Sequence, residues 1–131
     1  MRTLIVEDDF GSRRFLQQLM SEYGHCDVVV NGVEAVEAFR LAWEDNAPYR
    51  LVLMDIMMPE VDGQAALAQI RGIESEIGVQ PADQVVAIMT TALEDPKNVV
   101  KAYHDGEVAA YLVKPIDRTE LVDHLKKLEL I

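Results

Sequence analysis

The stretch Leu51-Val52-Leu53-Met54-Asp55-Ile56-Met57-Met58-Pro59-Glu60-Val61-Asp62-Gly63 decides the reading of this chain. Its first four residues are apolar without alternation, the pattern of a short strand covered on both faces. Asp55 follows at once. An ionisable group at the end of a buried strand costs desolvation energy unless a cation or a hydrogen-bond donor compensates it. In parallel α/β sheets the carboxyl ends of the strands are where ligands bind, so Asp55 is the first candidate for chemistry. Asp62-Gly63 reads as turn and helix-cap chemistry.

Working outward, further apolar strand candidates lie at Thr3–Val6, Asp27–Val30, Val85–Met89 and Ala109–Val113. Segments of helical period separate and follow them. Phe15, Leu16, Leu19, Met20 and Tyr23 share one face of the first; Val36, Phe39 and Trp43 do so on the second. Leu67 and Ile70 mark the third, Val99, Val100 and Tyr103 the fourth, and Leu121, Leu125 and Leu128 the last. Repeated strand–helix alternation predicts a parallel sheet with right-handed crossovers. The expected fold is α/β, a doubly wound five-stranded sheet of flavodoxin-like order 2-1-3-4-5 with five helices. A long polar connection from about Gly72 to Gln84 follows the third helix, which extends by a further turn before looping out.

At 131 residues the chain is expected to be one domain over 1–131, with no linker and no attached output domain. Half of its residues are apolar, which excludes disorder. No apolar run nears the roughly 20 residues needed to cross a bilayer, so no membrane insertion is expected. A net charge of −11 argues against nucleic acid as a partner. The lone Cys26 excludes an internal disulfide and fits a reducing, cytoplasmic setting. It reads as a small core residue.

In the order 2-1-3-4-5 the carboxyl ends of strands 1, 3, 4 and 5 open side by side, about 4.8 Å apart. Strand 1 ends at Glu7-Asp8-Asp9, strand 3 at Asp55, strand 4 at Thr90-Thr91-Ala92 and strand 5 at Lys114-Pro115. Crowded carboxylates favour a hard cation, and Mg²⁺ takes one or two carboxylates together with waters and phosphate oxygens. Lys114 and Thr91 would offer a positive charge and a donor to an incoming phosphoryl group. Asp55 is central, and an aspartate can attack phosphorus to give an acyl phosphate. Singly, each residue has a plainer reading. Asp8 or Asp9 could cap the first helix, Lys114 could be a surface lysine, Tyr111 a half-buried strand residue, and Met57-Met58 loop packing. Their joint placement on one edge is what favours chemistry.

Val6-Glu7-Asp8-Asp9, Met54-Asp55-Ile56-Met57-Met58-Pro59, Thr91-Ala92 and Tyr111-Leu112-Val113-Lys114-Pro115 together resemble bacterial response-regulator receiver domains over the whole chain. The resemblance implies a stand-alone, chemotaxis-regulator-like receiver. Asp55 would accept a phosphoryl group from a sensor histidine kinase or phosphotransfer protein. Asp8 would ligate Mg²⁺ directly and Glu7 through water, with Asp55 and the backbone carbonyl of Met57 completing the protein's share. Asp9 lies one place beyond the acidic pair and is left out. Thr91, not Thr90, matches the switch hydroxyl, Lys114 the phosphate-binding lysine with a cis bond to Pro115, and Tyr111 the aromatic switch. The resemblance makes the chain a phosphoacceptor and not a turnover enzyme, signalling to a downstream protein effector through its helix 4–strand 5–helix 5 face.

Met57 and Leu93, each two residues beyond a matched site residue, are apolar where the family places polar groups that position hydrolytic water, which implies a long-lived phosphoryl group. Gly106 and Tyr111 are separated by one residue more than is usual for the family, on the signalling face. Three rival functions are weaker. A Mg²⁺-dependent phosphohydrolase with an aspartyl nucleophile wants a second acid where Met57 stands. A flavin domain wants a phosphate cradle where Glu7-Asp8-Asp9-Phe10 stands. A non-switching binding module would not need the full set Glu7, Asp8, Asp55, Thr91 and Lys114.

Overall fold

A computed structural model describes residues 1–92 and 108–131. The strands are β1 (Thr3–Val6), β2 (Cys26–Val29), β3 (Leu51–Asp55), β4 (Val86–Thr91) and β5 (Ala110–Val113). They form one parallel sheet in the order β2-β1-β3-β4-β5, as the alternation of elements predicts. The described helices are α1 (Phe10–Met20), α2 (Gly32–Glu44), α3 (Gly63–Ile77) and α4 (Arg118–Lys127). The helix expected around Val99, Val100 and Tyr103 lies outside the described residues.

Strand alternation divides the core into two layers. Leu4, Val6, Val52, Met54, Ala87 and Met89 point to α2 and α3, where they meet Phe39, Leu67 and Ile70. Ile5, Leu51, Leu53, Ile88 and Leu112 point to α1 and α4, where they meet Leu16, Leu19, Leu121 and Leu125. Covering both faces explains why β1 and β3 are buried at every position. β3 and β4 run past their apolar residues into Asp55 and Thr90-Thr91, because pairing continues there: Asp55 is level with Thr90, and Ile56 N–H donates to the Thr90 carbonyl at 2.9 Å.

Each described α-helix begins at a side-chain cap. Asp9, Asn31, Asp62 and Asp117 accept hydrogen bonds from backbone N–H groups of the first turns they precede. α3 runs on to Ile77, through Gly72, and stops at Gly78 in the left-handed conformation (φ 81°). The connection onward is anchored by a buried carboxylate. Glu74 Oε2 accepts from Val85 N–H at 2.7 Å, while Arg71 donates to Glu74 Oε1 at 2.7 Å and to the Val85 carbonyl at 2.8 Å. This clip ties the last turns of α3 to the entry of β4.

Candidate functional site

Four strand ends deliver the site. Val6 is level with Met54, so Glu7 and Asp55 stand one step further, side by side. Both are buried, at 0% and 4% exposure, whereas Asp8 is exposed. Lys114, one step beyond β5, donates through its backbone N–H to the Thr91 carbonyl at 2.6 Å. Its ammonium Nζ lies 2.7 Å from Glu7 Oε2 and 3.0 Å from Asp55 Oδ2. The other oxygens of these acids are held by backbone: Asp9 N–H donates to Glu7 Oε1 at 3.1 Å, and Met57 N–H to Asp55 Oδ1 at 3.0 Å. The Lys114–Pro115 bond is cis.

The electrostatics follow from this packing. Burial pushes the Glu7 carboxyl above its ordinary range; the contacts with Lys114 and the Asp9 amide only partly oppose it, and the neighbouring Asp55 charge adds to it. Burial alone would lower Lys114, but its contacts with Glu7 and Asp55 outweigh that and hold the ammonium above its usual range. Lys114 is therefore a fixed cation shared by two buried acids.

The loop after β3 is pressed against the acid it carries. An added Cβ at Gly63 would sit 2.4 Å from the Asp55 carbonyl oxygen, so only glycine lets α3 start here. Gly63 N–H also donates to the Ile56 carbonyl at 3.0 Å, closing the turn.

Oxygen atoms of Glu7, Asp8 and Asp55 all lie within 4.8 Å of one another. Glu7 Oε2 is buried with no hydrogen bond among the described residues beyond its ion pair with Lys114. An all-oxygen, multiply anionic set with an under-satisfied buried oxygen fits a hard divalent cation such as Mg²⁺.

The remaining predicted residues fall as follows. Asp9 caps α1 through Ser12 N–H at 2.8 Å, which leaves Asp8 for the acid group. The Met57 side chain is 52% exposed at the mouth. Thr91 is buried at the end of β4, and half-buried Tyr111 packs against the core layer under α2 and α3, level with Met89. Leu93 and Gly106 lie outside the described residues. Sequence reasoning passed over Thr90, whose hydroxyl is buried beside Asp55; the period-two alternation of β4 was the signal that could have found it.

The profile of the response regulator receiver domain family matches residues 3–126. Hybrid signal transduction histidine kinase B of Dictyostelium discoideum is 35% identical over 133 residues, covering 96% of this chain and 6% of that protein. The probable transcriptional regulator ycf29 of Porphyra purpurea is 32% identical over 126 residues, covering 95% of this chain and 54% of that one. The chain thus spans about half the length, or far less, of these curated relatives. Among solved structures, the complex of the Saccharomyces cerevisiae histidine phosphotransfer protein Ypd1 with the receiver domain of its downstream response regulator Ssk1 matches with a TM-score of 0.76. That match is 27% identical and covers 93% of this chain and 83% of the solved one.

Proposed function

The chain belongs to the response regulator receiver domain family of two-component signalling, and on that premise we propose that Asp55 is its phosphoacceptor, charged by a histidine kinase or phosphotransfer protein. The observation that carries this reading is the Lys114 ammonium shared between buried Asp55 and Glu7 at 3.0 and 2.7 Å. The Ssk1 receiver, solved with a histidine phosphotransfer protein, supports the class of donor.

In the transfer, an Asp55 carboxylate oxygen attacks phosphorus, the P–N bond to the donor histidine breaks, and its electron pair stays on the imidazole. Met57 N–H on Oδ1 and Lys114 on Oδ2 fix the carboxylate in orientation. Lys114 neutralises charge on the transferring group, so catalysis is positioning and electrostatics. Glu7, Asp8, Asp55 and the Met57 carbonyl would hold Mg²⁺, which when bound neutralises phosphoryl oxygens as a Lewis acid. Thr91 then engages the phosphoryl group and Tyr111 turns, biasing a two-state equilibrium. β5, α4 and the segment expected to form the helix before β5 present the change to a downstream protein effector. Apolar Met57 and Leu93 make the phosphoryl group long-lived. The chain acts on itself in the cytoplasm and turns over no separate substrate. Among the described residues no helix is long and apolar enough to cross a membrane.

The test is incubation with Mg²⁺ and acetyl phosphate, read by intact mass, with Asp55→Asn as control. A single phosphoryl adduct that needs both Mg²⁺ and Asp55 is expected. An adduct that persists in Asp55→Asn refutes the assignment.

A further inference from the structure

The Lys114 side chain has to cross β4 to reach its acids. Lys114 follows β5, an edge strand, yet its ammonium touches Asp55 of β3 and Glu7 beyond β1. β4 lies between, and parallel neighbours stand about 4.8 Å apart. The β4 residue level with Asp55 is Thr90, which is in turn level with Leu112. Alternation puts Thr90 on the face of Leu53, Ile88 and Leu112, the same face as Glu7, Asp55 and Lys114. Thr90 therefore lies under the path of the lysine, between its backbone and the carboxylates.

Thr90 is 1% exposed, and its Oγ1 has no hydrogen-bond partner among the described residues. A buried hydroxyl without a partner is a standing cost that a valine of the same shape would not carry. Alternation puts Thr91 on the opposite layer with Met89 and Tyr111, so Thr90 is the strand-end hydroxyl on the lysine's own face. An ammonium has three N–H donors, and two of its contacts here are Glu7 and Asp55.

We propose that Thr90 is a positioning residue for Lys114: its hydroxyl oxygen accepts a hydrogen bond from the ammonium as the lysine leaves Glu7 for the phosphoryl group on Asp55. The inference rests on the phosphoacceptor reading. It gives the strand end two hydroxyls with separate duties, Thr90 on the lysine and Thr91 on the switch.

The test compares the wild type with Thr90→Val and Thr90→Ser. Urea unfolding is measured without donor, and the adduct rate is followed by intact mass across acetyl phosphate concentrations in excess Mg²⁺. In that reaction the bond from phosphorus to the acetyl oxygen breaks, the bond to Asp55 forms, and acetate leaves. The expected orders cross. Stability follows Val at or above Thr, then Ser, because the resting hydroxyl is unpaired and Ser loses a methyl group. The maximal rate follows Thr and Ser together, with Val about tenfold or more slower and half-saturating donor unchanged. A merely structural role would order both measurements alike. An unchanged Val rate overturns the proposal, as does a Val variant less stable than wild type or a Ser variant as slow as Val. A wild type that forms no adduct instead overturns the phosphoacceptor reading, and this inference with it.

Discussion

Lys114→Met isolates what the shared cation does. Glu7 and Asp55 are 0% and 4% exposed, and Lys114 is the cation in contact with both. Removing one partner of a buried ion pair costs about 3–5 kcal/mol, because the other charge is left uncompensated. The lower end applies here, since the lysine side chain is 15% exposed and Glu7, already biased towards its neutral form, can take up a proton. About 3 kcal/mol is a large share of the roughly 5–15 kcal/mol that stabilises a domain. With a urea m-value near 1.5 kcal/mol/M, the midpoint falls by about 2 M in chelator. Mg²⁺ then acts as the replacement cation. At about 100 times its Kd it returns about 2.7 kcal/mol, and it binds the variant more tightly than the wild type because its competitor is gone. The assay is urea unfolding of both proteins in chelator and in saturating Mg²⁺. Equal midpoints in chelator would refute the reasoning, as would Mg²⁺ stabilising the two proteins equally.

Gly63→Ala, which forces a Cβ onto the Asp55 carbonyl oxygen, is expected to keep the circular dichroism of the fold but slow adduct formation from acetyl phosphate by about a hundredfold. Met57→Asn combined with Leu93→Glu shortens the phosphoryl lifetime, measured as decay of the adduct after donor removal; an unchanged lifetime contradicts the role given to those positions. Glu74→Ala leaves Val85 N–H and Arg71 without their carboxylate and costs about 3–5 kcal/mol in urea unfolding, with Glu74→Gln costing less. Burial would raise the Asp27 carboxyl, but hydrogen bonds from Tyr49, His25 and Arg2 outweigh it and hold it below its ordinary 3.8. Its contribution is therefore present above pH 3.8 and lost as pH falls through the lower folded value, so the wild-type advantage over Asp27→Asn shrinks across that window in pH-dependent unfolding.

The sheet and the acid edge were legible because they rest on local signals. Apolar runs of three to six residues, each closed by a polar group, give the strands and the edge they share. The end of α3 was legible only roughly. The helix runs past Gly72 by the further turn expected, since a Cβ there would meet nothing within 4 Å and a mid-helix glycine costs only about 1 kcal/mol, but its last residue had no signal of its own. The helix stops at Gly78, where φ is 81°. What holds the long connection was equally hidden, since Arg71, Glu74 and Val85 meet only through tertiary packing. Asp8 and Asp9 could not be separated by type. The cap geometry separates them, taking Asp9 and leaving Asp8 beside Glu7 and Asp55.

The resemblance that made Thr91 conspicuous also hid Thr90, and the two residues lie on opposite faces of this edge. Consecutive strand residues face opposite layers. Glu7, Asp55, Thr90 and Lys114 share the α1/α4 side, while Thr91 and Tyr111 share the α2/α3 side. The backbone joining the two hydroxyls is pinned from both neighbours: Ile56 N–H donates to the Thr90 carbonyl at 2.9 Å, and Lys114 N–H to the Thr91 carbonyl at 2.6 Å. Those donors stand next to Asp55 on one side and belong to Lys114 itself on the other. Sliding β4 to carry a signal would break both bonds and turn every side chain of the strand to the wrong layer. Rotating a threonine side chain breaks neither. On the proposed phosphoacceptor reading, a change at Asp55 would therefore pass across the sheet through side-chain rotation, with the backbone as the fixed frame.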